Sequence, residues 1–208
     1  MADEPTDDPP VTADRPDSTI QVTGTDHVTL IGSNVEDTVE YYRDILGLPL
    51  VMRQPNLDDD DVEHLFFASG DGRLITFFCD GRESHEGAQR PGTGAVHHIA
   101  FRLDPEQFVE TRENLREAGR RFSEFDRGAF HSLYARDHNG LTIELAADKF
   151  DVPDDRRGEV LARAQAHRVE AGAEYVRGED LRAALEELGL DVVEHDLPAA
   201  PTGTSVED

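Results

Sequence analysis

Apolar and polar positions along this chain change period twice, in the same order each time. TDHVTLIG (25–32) alternates and predicts a strand. Ser33 to Glu36 has the spacing of a capping box and opens a helix with Val35, Val39, Tyr42 and Leu46 on one face. Gly47 is placed to stop it. PLVMR, VEHLFFAS and RLITFFCD then read as three strands between polar turns. The same order recurs from AVHHIAFRLD (95–104), a strand whose last residue, Asp104, caps a helix with Pro105 in its first turn. That helix turns Phe108, Leu115 and Ala118 inward and stops at Gly119. RRFSEFD, FHSLYARD and LTIELAAD supply three further strands.

Two internal alignments make this a repeat. The helix stops follow His27 and His98 at 20 and 21 residues respectively. Each half also closes on a nine-residue segment from Gly to Asp, GRLITFFCD (72–80) and GLTIELAAD (140–148). The expected fold is therefore α+β, with two βαβββ units at about 22–80 and 95–148 inside a domain spanning 22–150. Residues 1–21 form an acidic, proline-rich segment expected to be disordered. Residues 151–208 read as a mostly helical extension with a polar tail, built on DRRGEVLARAQAHRVEAGA and GEDLRAALEELG. Leu181, Leu185 and Leu188 make an apolar stripe in the second of these helices, expected to be buried on the domain or on a second subunit.

Composition narrows the setting. The 45 acidic residues against 20 basic ones give a formal net charge of −25, which repels phosphates and excludes nucleic acid as the main partner. No run of about 18 apolar residues can span a membrane, and MADEPTDDPP has neither the basic nor the apolar region of a signal peptide. Cys79, the single cysteine, excludes internal disulfides and thiolate zinc clusters and fits a reducing cytoplasm. Acids occur on nearly every polar face, and almost all the positive charge is Arg. A salt-loaded, halophilic cytoplasm accounts for this, because dense carboxylates keep a protein hydrated when charge is screened. An acidic protein from an ordinary GC-rich host is the alternative.

The candidate chemistry begins with histidine. His27 and His98 hold equivalent points on the first strand of each unit, and Glu144 lies on the last strand of the second. Side chains alternate along strands, so one residue from each of three strands can meet on a concave face. Two imidazoles and a carboxylate make a facial triad with three open positions. The other reading is two half-buried core histidines and a solvated glutamate. Strict alternation sends His131 to the face opposite Tyr134, and His97 to the face opposite His98. Cys79 reads as a small buried group, and Asp58–Asp61 as a solvated turn lacking the spacing of a calcium loop.

DHVTL, YYRDILGLPLV, HHIAF and SLYARDHNGLTIEL together resemble the vicinal oxygen chelate superfamily over about residues 22–150. The resemblance implies paired βαβββ modules forming a cup-shaped mixed sheet around a divalent metal held by His27, His98 and Glu144. Modules in this family pair within a chain or across a dimer, and a homodimer is expected here. Glyoxalase-type members add a carboxylate on the last strand of the first module, where alignment of the nine-residue segments puts Thr76 opposite Glu144. The missing fourth ligand favours the ring-cleaving dioxygenase branch, with Fe(II) expected and Mn(II) or Zn(II) as alternatives. The substrates would be a catechol- or hydroquinone-like aromatic and O2. Similarity to hydroquinone-opening members further implies catalytic roles for Tyr134, His97 and Arg127, and a match at Thr29. Asp26 departs from the pattern, since the nearest dioxygenases often carry His there. His64 matches a family position read as strand packing. Two rival readings remain: a glyoxalase-like lyase or isomerase using a carboxylate such as Glu83, and a non-catalytic ligand-binding or resistance protein.

Overall fold

The computed structural model describes residues 9–90 and 92–198. The expected disorder of 1–21 and the polar tail fall partly outside these residues. Within them, 9–26 carry no helix or strand.

Two four-stranded mixed sheets form the body of the chain. In the first, β1 (His27–Ile31), β2 (Leu50–Asn56), β3 (Asp59–Ala68) and β4 (Leu74–Cys79) are ordered β1-β4-β3-β2. In the second, β5 (His98–Arg102), β6 (Phe122–Asp126), β7 (Phe130–Arg136) and β8 (Thr142–Asp148) are ordered β5-β8-β7-β6. The repeat holds to the residue: β1 runs parallel to β4 with His27 opposite Leu74, and β5 runs parallel to β8 with His98 opposite Thr142. Thr29 therefore faces Thr76 where Ala100 faces Glu144.

Details depart from the sequence pattern. The first helix is capped by Asn34, whose side chain accepts from the Asp37 amide, while Ser33 bonds Ser84. After α1 (Val35–Val39) the backbone widens into a π turn over Glu40–Ile45. Tyr41 and Tyr42 are both buried in this turn, with ring centroids 5.3 Å apart. The acidic run is only partly a turn: Leu57 and Asp58 make the hairpin, and Asp59 already begins β3. Asp104 caps as expected, accepting from the Glu106 amide ahead of α2 (Phe108–Glu117).

One face of each sheet is sealed. Leu65, Phe67, Ile75 and Phe77 from the first unit and Leu133, Ile143 and Phe108 from the second belong to one continuous core. Tyr42 lies within it and donates a 2.9 Å hydrogen bond to Asp137, in the β7–β8 turn of the other unit. Thr38 meets His138 at 3.0 Å beside that contact. Gly140 in the same turn has φ +81°, and a Cβ there would collide with the Glu86 carbonyl, so only glycine lets the connecting segment pass this closely. Burial pushes the His138 pKa down and the Cys79 thiol up.

The extension makes a second core. Helices α3 (Arg157–Glu170) and α4 (Gly178–Glu187) enclose Phe150, Val160, Ala164, Leu181 and Leu185, with Leu188 packed at the margin. Each fully buried Leu contributes about 1.5–3 kcal/mol, enough to dock the hairpin on the domain's end. Among the described residues no helix is long and apolar enough to cross a membrane.

Candidate metal centre

Alternation puts His98, Glu144, Tyr134 and Ser132 on the face of the second sheet that the core does not cover. Glu144 is only 4% exposed, and every oxygen on it has an assigned neighbour. Its Oε1 accepts from the Ser132 hydroxyl at 2.7 Å and from the Tyr134 hydroxyl at 2.8 Å. Its Oε2 lies 2.9 Å from His98 Nε2. Two donor atoms each about 2.1 Å from one ion, at right angles to each other, stand about 3.0 Å apart. The His98–Glu144 separation fits two adjacent ligands of one divalent metal.

Surrounding groups hold these two atoms in place. His97 Nδ1 lies 2.8 Å from His98 Nδ1, which fixes the ring with Nε2 toward Glu144. His97 itself precedes β5 and is exposed, so it reaches the ligand ring without a strand bulge. Arg127 Nε donates to the Tyr134 oxygen at 3.2 Å, and its guanidinium stacks over Phe125 and Tyr134. Burial and the bond to Glu144 push the Tyr134 pKa up. Lys149 bonds Asp126 at the root of the Arg127 turn.

His27 stands on the other sheet. Its Nδ1 is 2.6 Å from Asp26 Oδ1, again leaving Nε2 outward. Beside it Thr29 and Thr76 share a 2.8 Å hydrogen bond, with Thr76 at the register that Glu144 holds in the second sheet. The sheets share no strand-to-strand hydrogen bonds, and among the described residues of one chain no three His, Cys, Asp or Glu side chains are grouped so that they could hold a metal ion. The structure thus assembles His98, Glu144, Tyr134, Arg127 and His97, and keeps His27 apart from them. Glu83 is exposed on the connecting loop.

The two other strand histidines divide as alternation requires. His131 lies on the sealed face, 3.0 Å from Glu124 and stacked on Phe108, and burial lowers its pKa. His64 lies on the open face with Phe66 and Phe78. Ser132 was not singled out in the sequence. Ser132 had a usable signal, since it sits two residues before Tyr134 and so shares its face.

A βαβββ unit used twice, each copy opening on a strand that begins with histidine, defines the class of fold. The family model for the Glyoxalase/Bleomycin resistance protein/Dioxygenase superfamily matches residues 24–145, and the chain belongs to that superfamily. MhqA of Bacillus subtilis (strain 168), assigned by name as a ring-cleaving dioxygenase, is 28% identical over 62% of this chain and 42% of its own length. MhqO of the same strain, assigned likewise, is 28% identical over 59% of this chain and 39% of its own length. The chain thus spans less than half of these relatives. A solved Bacillus subtilis structure assigned as a dioxygenase is 25% identical, with a TM-score of 0.53 over 60% of this chain and 40% of that one. A glyoxalase/dioxygenase from Nostoc punctiforme shares the fold at TM-score 0.51 and 16% identity, over 66% of this chain and 99% of that one.

Proposed function

We propose that this chain is a metal-dependent dioxygenase that opens a catechol- or hydroquinone-like ring. The observation that carries the reading is the 2.9 Å approach of His98 Nε2 to Glu144 Oε2, with Oε1 occupied by Ser132 and Tyr134. That leaves one oxygen and one nitrogen for a divalent ion, and the histidine-plus-carboxylate donor set suits Fe(II), with Mn(II) or Zn(II) as alternatives. His27 is the third ligand. When bound, such an ion makes substrate hydroxyls more acidic and holds O2 beside them.

This chain's own residues do the rest. Tyr134 stays protonated and offers a hydrogen bond to charge developing on a substrate oxygen. Arg127, held over the Phe125 and Tyr134 rings, holds an anionic phenolate near that hydroxyl. His97, exposed next to His98, takes or returns a proton.

His27 reaches this centre from a second copy. Within one chain the two open faces carry complementary halves, His27 at the start of the first sheet and a histidine–carboxylate pair on the second. A two-fold dimer that sets the first sheet of one protomer against the second sheet of its partner completes two equivalent cups. The missing carboxylate at Thr76 supports the dioxygenase reading over the glyoxalase-like one. Elemental analysis of protein purified without chelator, followed by oxygen uptake over a catechol and hydroquinone panel, tests the proposal. Stoichiometric metal with ring-dependent uptake is expected; metal-free protein after Fe(II), Mn(II) and Zn(II) loading, or no uptake with any ring, overturns it.

A further inference from the structure

Two pieces of the chain, far apart in sequence, hold the turn that carries Arg127. The turn joins β6 to β7 over residues 127–129 and leaves Arg127 exposed. Gly128 has φ +84°, and a Cβ there would collide with the Val176 carbonyl in the connection between α3 and α4. Only glycine lets the two backbones approach this closely. Ala129 and Val176 both pack against the core of the helical hairpin, which contains Phe150 and Leu181. The extension is thus seated on the Arg127 turn itself.

A second contact works through Lys149. Its ammonium donates to Asp126 at 2.7 Å, and Asp126 in turn accepts from the Gly128 amide at 2.8 Å. The Lys149 amide donates to the Ala129 carbonyl at 3.2 Å, while the Lys149 carbonyl accepts from the His195 amide at 2.9 Å. His195 belongs to the stretch that returns from α4, where Glu194 bridges Phe150 and the Asp151 amide donates to the Val193 carbonyl. The residue just past β8 is therefore tied to the Arg127 turn on one side and to the stretch beyond α4 on the other.

We propose that the helical extension is a clamp on the Arg127 turn, with Gly128 and Lys149 as its positioning residues, and that it sets how tightly an anionic ring is held. The proposal rests on the reading of Arg127 above as the group that holds a phenolate. The Arg127 guanidinium stands over Phe125 and bonds the Tyr134 hydroxyl at 3.2 Å, and that hydroxyl bonds Glu144. A shift of the turn therefore moves the cation relative to the carboxylate. An exposed arginine on a free turn loses rotamer freedom when it grips a ligand. A backbone already fixed on a packed hairpin lowers that cost, so order supplied in advance tightens binding. Gly128 and Lys149 act through Arg127 and do not touch the ligand.

The test uses the full chain loaded with Mn(II) and 4-nitrocatechol, whose nitro group makes one hydroxyl acidic enough to bind as an anion near neutral pH. Lys149→Met removes the ammonium and keeps the stem, Lys149→Arg restores the charge, and Gly128→Ala forces the turn off Val176. Each is made alone and together with Arg127→Ala, with circular dichroism and metal content measured on every protein. Lys149→Met and Gly128→Ala should each weaken 4-nitrocatechol binding about five- to tenfold with metal content unchanged. Lys149→Arg should bind within about twofold of wild type. In the Arg127→Ala background, itself about tenfold weaker, neither substitution should weaken binding further, because the group they position is gone. Where Gly128→Ala does not fold, Lys149→Met decides alone. Wild-type affinity in folded, loaded Lys149→Met, or an equal loss with and without Arg127, refutes the clamp and leaves the metal centre standing. Wild-type affinity in Arg127→Ala refutes the clamp and the role of Arg127 together. If loaded wild type does not bind 4-nitrocatechol, the clamp and the metal centre both fall.

Discussion

Thr76 and Glu144 occupy the same register in the two units, each on the strand parallel to the one that begins with a histidine. In the proposed centre, the difference between them divides the labour of the two open faces. It also makes the role of each face separately measurable.

Glu144→Gln keeps the shape but removes the charge that a divalent ion needs. Metal content should fall below about a tenth of wild type and activity should vanish, with the thermal midpoint little changed. Ser132→Ala should weaken metal binding about tenfold by freeing Oε1, as loss of an outer hydrogen bond to a ligand commonly does. Metal titration by calorimetry checks both; full metal retention in Glu144→Gln would end the assignment.

Tyr134→Phe removes the hydroxyl and leaves the ring. Metal binding should persist while kcat falls about 10²-fold or more, the scale of a lost proton donor. Equal loss of metal and kcat would show that Tyr134 only supports the carboxylate.

A cup shared between protomers predicts complementation. His27→Ala and Glu144→Ala should each be inactive alone. Unfolded together and refolded as an equal mixture, half the dimers are hybrids with one intact cup, so about a quarter of wild-type sites should return. No recovery, with mixed dimers present by mass spectrometry, would place all three ligands in one chain.

The contact between the units carries a pH signature. Burial lowers the His138 pKa in the folded protein, so between that value and about 6.5 the unfolded chain binds more protons. Stability from this residue is complete above about pH 6.5 and is lost as pH falls through it. His138→Asn should flatten the decline in thermal midpoint between pH 7.5 and 5.5, measured in molar salt so that carboxylate repulsion is screened. Tyr42→Phe, which strips a hydrogen bond from buried Asp137, should cost about 1.5–3 kcal/mol in denaturant unfolding.

Net charge of −25 on 208 residues predicts strong self-repulsion in dilute buffer. The thermal midpoint should rise by many degrees between 0.1 M and 3 M KCl, where the screening length shrinks to a few ångström. A midpoint independent of salt would remove the halophilic reading.

Much of this was legible in the sequence because it is local. Alternation along LTIELAAD and FHSLYARD put Glu144 and Tyr134 on one face and His131 on the other, and pleated strands allow nothing else. The repeat in the sequence aligns His27 with His98 and Thr76 with Glu144. The Leu181 and Leu185 stripe buried for the same reason, through the period of a helix. What the tertiary structure alone decided is which faces meet. The bond from Tyr42 to Asp137 across 95 residues, and the lack of any metal-holding group of three among the described residues of one chain, depend on how two sheets pack. Periodicity fixes the direction of a side chain relative to its own strand, whereas contacts between units are set by packing of distant surfaces that no local pattern encodes.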